Sequence, residues 1–248
     1  MNSPIFILST GRTGTQFFED YINQTSNKAL CKHEPRPSWR FKFLSNMYLN
    51  NKISGKTITT IYRFSRKSLF NDINSKIYIE SSNFIFGCIN ALNEYYNNIK
   101  IIHIIRHPVT YIESHLNHGF WKGHKKIFAK YIPFWLERIN IQNHSNPVHI
   151  LSERWNYVNT QISLYRETNK YTLVKFEDLF SENRKLASET LNGVRKFCSL
   201  NPVDITVNLK WLEKPKNYSR NKFIMDEKDK NYIYKNNKSI MLSFNYLK

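Results

Sequence analysis

The chain has 248 residues, 41% of them hydrophobic, with Phe 17, Tyr 15 and Trp 5, which excludes a disordered chain and suits one globular domain spanning residues 1–248. Lys and Arg number 37 against 19 Asp and Glu, so the formal charge is 37 − 19 = +18. Such an excess favours an anionic partner: a phosphorylated nucleotide, an acidic polymer, nucleic acid or a membrane surface.

Cys31, Cys88 and Cys198 are odd in number and too far apart for zinc-type pairs, as expected of structural thiols in a reducing compartment. No run of about 18 apolar residues occurs, and no basic segment followed by a long apolar stretch opens the chain. A cytoplasmic protein with no membrane span is expected.

Taken in chain order, Pro4-Ile5-Phe6-Ile7-Leu8-Ser9 reads as a buried strand. It runs into Thr10-Gly11-Arg12-Thr13-Gly14-Thr15, and Phe17, Phe18, Tyr21 and Ile22 then recur at helical spacing, giving strand, tight loop, helix. Further strands are predicted at Lys76–Ile79, Ile101–Ile105 and Tyr171–Phe176, separated by helical patterns. The clearest of these carries Leu151, Trp155, Val158, Ile162 and Tyr165 as a core-facing stripe. Near-continuous apolar strands alternating with amphipathic helices predict an α/β fold, a central parallel sheet with helices on both faces. Ligands then bind beyond the carboxyl ends of the strands.

Gly11 and Gly14 are two of only seven glycines, and both lie in the first such loop. Glycines let the backbone aim its N–H groups inward while the next helix presents its positive end. Thr13 and Thr15 add hydroxyl donors, and Arg12 adds a planar cationic fork suited to phosphate or sulfate oxygens. A nucleoside-triphosphate loop would need Lys after the second glycine, but the run is Gly14-Thr15-Gln16. No later strand ends in an Asp placed for magnesium, so no metal is expected. The Ile101–Ile105 strand delivers Arg106, His107 and Pro108, a good first helical residue. Ser114 lies about two turns further on, where its hydroxyl and the Arg106 guanidinium can converge on one phosphate.

These residues resemble a known family. Ile7-Leu8-Ser9-Thr10-Gly11-Arg12-Thr13-Gly14-Thr15 is similar to the 5′-phosphosulfate loop of sulfotransferases, and Ile105-Arg106-His107-Pro108 with Ser114 is similar to their 3′-phosphate site. Val174-Lys175-Phe176-Glu177-Asp178-Leu179 and the terminal Ile240–Leu247 segment resemble further family elements. Arg12, where the cytosolic phenol and steroid enzymes carry Lys, is closer to the carbohydrate-type and bacterial branches. The family's glycine-bearing basic loop near the C-terminus has no clear counterpart: Lys214, Lys216, Arg220 and Lys222 are basic, but their segment lacks glycine.

The resemblance implies a P-loop-like sulfotransferase fold and a sulfuryl donor, 3′-phosphoadenosine 5′-phosphosulfate (PAPS), released as adenosine 3′,5′-bisphosphate (PAP). It implies donor contacts from Gly11, Arg12, Thr13, Gly14, Thr15, Gln16, Arg106 and Ser114. The acceptor would be a hydroxyl, of a carbohydrate or another alcohol, with no obligatory nucleic acid. Arg12 would stabilise the leaving oxygen. For the base that takes the acceptor's proton, Cys31-Lys32-His33-Glu34-Pro35-Arg36-Pro37 resembles a His-Glu-Pro element of some bacterial enzymes. Glu34 is the first choice and His33 the second. Glu80, in Glu80-Ser81-Ser82-Asn83, is a rival base or a loop-orienting acid. Pro35–Trp39 and Gly119–Lys126 are expected to shape the acceptor site. His103 reads as a core residue, and His115, His118 and His124 lack the spacing of a zinc site. The rival functions are a nucleic-acid or polyanion binding protein, motivated by Trp39-Arg40-Phe41-Lys42-Phe43, and a P-loop kinase.

Overall fold

The structure, a computed structural model, describes residues 3–72, 76–117, 146–203 and 223–247. Five strands, β1 (Ile5–Ser9), β2 (Ala29–His33), β3 (Ile77–Ser81), β4 (Lys100–Ile105) and β5 (Tyr171–Lys175), form one sheet in the order β2-β3-β1-β4-β5. Every pairing is parallel. The helices are α1 (Thr15–Thr25), α2 (Arg40–Leu49), α3 (Gly55–Ser65), α4 (Lys67–Asp72), α5 (Ile89–Tyr96), α6 (Pro108–Leu116), α7 (Pro147–Ser163), α8 (Phe176–Leu179), α9 (Arg184–Phe197) and α10 (Glu227–Ser243).

Successive strand residues point to opposite faces, so an all-apolar strand needs cover on both. In β1, Ile5 and Ile7 pack with Phe18, Tyr21 and Ile22 of α1 and with Leu191 and Val194 of α9. Phe6 and Leu8 face the other way, onto Phe41, Ile58, Tyr62, Ile89, Leu92 and Val158 of α2, α3, α5 and α7. A third cluster joins Ile105 to Val109, Ile112, Trp155, Ile233, Met241 and Phe244, seating α6, α7 and α10 together beyond the end of β4. The predicted α/β layers are therefore present. β1 lies between β3 and β4, so the loops that leave these three strands share one carboxyl edge.

His103 is a core residue, as expected. It is fully buried, with Nδ1 2.7 Å from the Tyr171 hydroxyl and Nε2 2.9 Å from Asn159 Oδ1. Burial pushes its pKa from the ordinary 6.5 down to about 4. Between those values the unfolded chain takes a proton that the folded chain refuses, so stability falls as pH drops through that window and is flat above it. The gap corresponds to roughly 3 kcal/mol. Unfolding free energies measured by denaturant titration for the parent and His103→Gln should therefore converge by about that amount between pH 7 and pH 4. Parallel curves would show that this imidazole does not set acid sensitivity.

Candidate active site

Three backbone positions in the loop after β1 are left-handed: Gly11 at φ 85°, Arg12 at 57° and Gly14 at 75°. The two glycines take this conformation without a Cβ penalty. They are also crowded: a methyl group on Gly14 would lie 2.6 Å from the Phe180 ring, and one on Gly11 2.8 Å from the Asn83 amide. Ser9 Oγ accepts the Gly11 N–H at 3.0 Å and closes the turn. Gly14 then caps α1, whose first turn holds no acidic residue. The N–H groups of Thr13, Gly14 and Thr15 make no hydrogen bond among the described residues. The buried Thr13 hydroxyl has no partner among them either. A row of free donors at a helix N-terminus is a place for an anion.

The second loop touches the first. Arg106 donates from Nη1 to the Arg12 carbonyl at 2.9 Å and from Nε to Thr110 Oγ1 at 3.2 Å. Its guanidinium lies 4.3 Å from the centre of the Phe176 ring. Arg12 Nε donates in turn to Ser114 Oγ at 3.3 Å. The hydroxyl expected to accompany Arg106 thus bonds the other arginine, and it bridges the two loops instead of sitting in one. Burial lowers the pKa of both guanidiniums; for Arg106 the charge of Arg12 lowers it further and Glu177 opposes the shift. Two half-buried arginines this close repel each other, and an anion between them relieves that cost. The Gln16 side chain is exposed.

Other residues hold these loops in place. Trp155 Nε1 donates to the Arg106 carbonyl at 2.8 Å, and Arg154 Nη2 donates to the Thr10 carbonyl at 3.1 Å. Adjacent residues of α7 thereby fix the exits of both β4 and β1. Glu177 accepts the His107 N–H and the Tyr246 hydroxyl, each at 2.8 Å. The Lys-Phe-Glu segment and the terminal aromatic turn therefore meet at the Arg106 loop: Phe176 lies under the arginine, Glu177 fixes the backbone, and Tyr246 sits edge-on to His107. Sequence reasoning missed Arg154 and Trp155, because the helix shows Trp155 only as one member of a core stripe.

The His33–Glu34 segment reaches the same edge. The Glu34 N–H donates to the Ser81 carbonyl at 2.9 Å, and Ser81 Oγ donates to the Thr15 carbonyl at 2.8 Å, linking this segment to the start of α1. His33 Nδ1 lies 3.1 Å from the same Ser81 carbonyl. A carbonyl only accepts, so the neutral imidazole carries its proton on Nδ1 and presents Nε2 as its basic atom. Burial lowers the His33 pKa, opposed by that hydrogen bond and by Glu19. Burial raises the Glu34 carboxyl pKa, opposed by Lys42 and the Asn83 N–H. Glu34 is itself left-handed, at φ 44°. The other non-glycine residues in that region among the described residues, Arg12 apart, are Asn51, Asn97, Ser199 and Asn245. Arg12 and Glu34 are thus the two long charged residues among them, and such strain clusters at functional sites.

Glu80 has the loop-orienting place and not that of a base. It is fully buried and accepts from Arg66 at 2.9 and 2.8 Å, from Tyr62 at 3.1 Å and from Tyr78 at 2.9 Å. Arg66 continues to Ser38 Oγ at 2.8 Å and so anchors the Pro35–Trp39 loop beside Glu34. The segment with Lys214, Lys216, Arg220 and Lys222, the Gly119–Lys126 loop, His118 and His124 lie outside the described residues. Among the described residues no three His, Cys, Asp or Glu side chains group as a metal site, and no helix is long and apolar enough to cross a membrane.

The chain therefore has a parallel α/β scaffold with two arginine-bearing loops in contact at its carboxyl edge. It is similar in structure to a sulfotransferase from Alicyclobacillus acidocaldarius, with a TM-score of 0.60 over 98% of this chain and 95% of that one at 12% identity. It is also similar to the sulfotransferase domain from the curacin biosynthetic pathway, with a TM-score of 0.55 over 83% and 76% at 15% identity. No protein-family model matches the chain, and no curated protein matches it in sequence. The likeness is one of fold: this is the P-loop-like α/β fold of those sulfotransferases.

Proposed function

We propose that residues 1–248 form a sulfotransferase domain that moves a sulfuryl group from PAPS to a hydroxyl, of a carbohydrate or another alcohol. The observation that carries this reading is the direct contact between the two anion loops, Arg106 to the Arg12 carbonyl and Arg12 to Ser114. Loops in contact suit two anionic groups separated by one ribose, as on a nucleotide with 3′ and 5′ substituents. A triphosphate would lie along a single loop.

In this reading the 5′-phosphosulfate occupies the N–H groups of Thr13 to Thr15, and the 3′-phosphate is held by Arg106 with Ser114. Arg12, bonded to Ser114, stands between the two and stabilises charge on the leaving phosphate oxygen. Glu34, or His33 through Nε2, takes the acceptor's proton. Sulfuryl transfer resembles phosphoryl transfer in resting on in-line positioning and charge stabilisation.

Calorimetry with PAP, ATP and a single-stranded oligonucleotide tests the reading. PAP should bind and the other two should not compete. Preference for ATP would support a kinase, and preference for the oligonucleotide a polyanion-binding protein. Arg106→Ala should weaken PAP by roughly 1.5–3 kcal/mol, the value of a hydrogen bond to a charged group. It should leave adenosine 5′-phosphate almost unchanged; equal weakening of both would remove the 3′ assignment.

A further inference from the structure

Residues 35–71 hold eight lysines and arginines and no aspartate or glutamate, so this one stretch carries +8 of the chain's +18. It folds as the Pro35–Trp39 loop, α2, α3 and most of α4. Arg36, Arg40, Lys52, Lys56, Arg63 and Lys67 are exposed, and among the described residues none of the six forms an ion pair. Like charges this concentrated repel one another, and an anionic partner removes that cost.

The same stretch is apolar where it meets solvent. In α2, Phe41, Leu44 and Tyr48 pack on the core, as an amphipathic helix requires. At about 100° per residue, Trp39, Phe43 and Met47 line the opposite side. Charged residues are expected there, yet these three are 59%, 41% and 39% exposed. In α3, Ile58 and Tyr62 are buried while Phe64 is 83% exposed. Arg66 joins the two helices: it donates to Ser38 Oγ at 2.8 Å and its guanidinium lies 5.2 Å from the centre of the Phe41 ring. Trp39 follows Ser38 and Phe64 lies two residues before Arg66, so the two exposed aromatics stand at adjoining helix ends.

We infer that the outer face of α2 and the end of α3 dock on an anionic lipid surface. Trp39, Met47 and Phe64 enter the boundary between headgroups and acyl chains, and Arg36, Arg40 and Arg63 meet lipid phosphates. Apolar and aromatic side chains on a helix face flanked by cations alone are what such a surface binds. Nucleic acid answers the charge equally, but single strands stack their bases along a basic groove, whereas this face is the convex side of a helix. The docking does not rest on the sulfotransferase reading. Under that reading it has a consequence, because Trp39 lies on the loop that follows Glu34: a lipid headgroup hydroxyl is brought to the edge that carries the base.

The experiment is flotation of the full chain with vesicles of phosphatidylcholine alone and of phosphatidylcholine mixed equally with phosphatidylglycerol, read as the lipid concentration that binds half the protein. The parent should bind the mixed vesicles and not the neutral ones. Trp39→Ser combined with Phe64→Ser should weaken that binding about tenfold or more, since interfacial affinity scales with the apolar area buried. Both side chains are exposed, so the fold should survive. Arg36→Ser combined with Arg40→Ser should weaken it about 25-fold, each cation near an anionic surface contributing about fivefold; this pair decides should the first not fold. Lys235→Ser combined with Lys238→Ser, exposed on α10, makes the same change of charge elsewhere and should shift binding by less than about twofold. A parent that binds neither vesicle overturns the proposal. So does an α10 pair that costs as much as the arginine pair, which would reduce the effect to net charge. Tighter binding to a single-stranded oligonucleotide, abolished by the same Trp39 and Phe64 changes, would assign the face to nucleic acid instead. No nucleotide donor enters this measurement, so its failure and the failure of PAP to bind are separate results.

Discussion

Arg12→Gly should lower turnover by roughly 10³-fold while leaving the folded state no less stable than the parent. The magnitude is the low end of what one arginine on a transferring phosphoryl group contributes, and sulfuryl transfer develops similar charge on its leaving oxygen. Retained stability follows from the backbone. A non-glycine residue at φ 57° carries on the order of 1–3 kcal/mol of strain, and glycine removes it. The substitution also relieves the repulsion that helps to lower the Arg106 pKa. Against these gains stand the side-chain contacts that are lost, the hydrogen bond to Ser114 at 3.3 Å among them, each worth about 1 kcal/mol. Turnover is read as PAP released from PAPS in the presence of an accepting alcohol, and stability as a denaturant midpoint. A midpoint that falls together with turnover would mark Arg12 as a structural residue.

Much of this site was legible because short-range chemistry forces it. Ile5 to Leu8 cannot be solvated on either face, so a central parallel strand follows, and Gly11 and Gly14 announce left-handed backbone where a helix begins. Pro108 marks the start of α6, which sets the distance from Arg106 to Ser114. The unread part depends on residues far apart in sequence. Ser114 is 102 positions from Arg12, and its choice of that arginine over Arg106 is settled by how α6 leans on the first loop. Arg154 reaches Thr10 across 144 positions. A single arginine beside a core tryptophan carries no periodicity that would point there. Glu80 looked like a possible base because it ends a strand at the ligand edge. Strand alternation turns its side chain under α3 instead, where Arg66, Tyr62 and Tyr78 consume it.

Glu34→Gln should lower turnover by about 10²–10⁴-fold, the usual contribution of a positioned general base, with PAP affinity nearly intact. The amide keeps the size and one hydrogen-bonding end but cannot accept the proton. Removing a negative charge close to the anion loops cannot weaken an anionic donor. The position of the acid limb will not by itself identify the base, because burial moves the carboxyl of Glu34 up and the imidazole of His33 down, toward each other. The variants separate them. With Glu34 as the base, activity in the parent rises as pH climbs through its raised pKa, and this limb disappears in Glu34→Gln and persists in His33→Ala. The reverse pattern would transfer the role to Nε2 of His33, the atom its bond to Ser81 leaves basic.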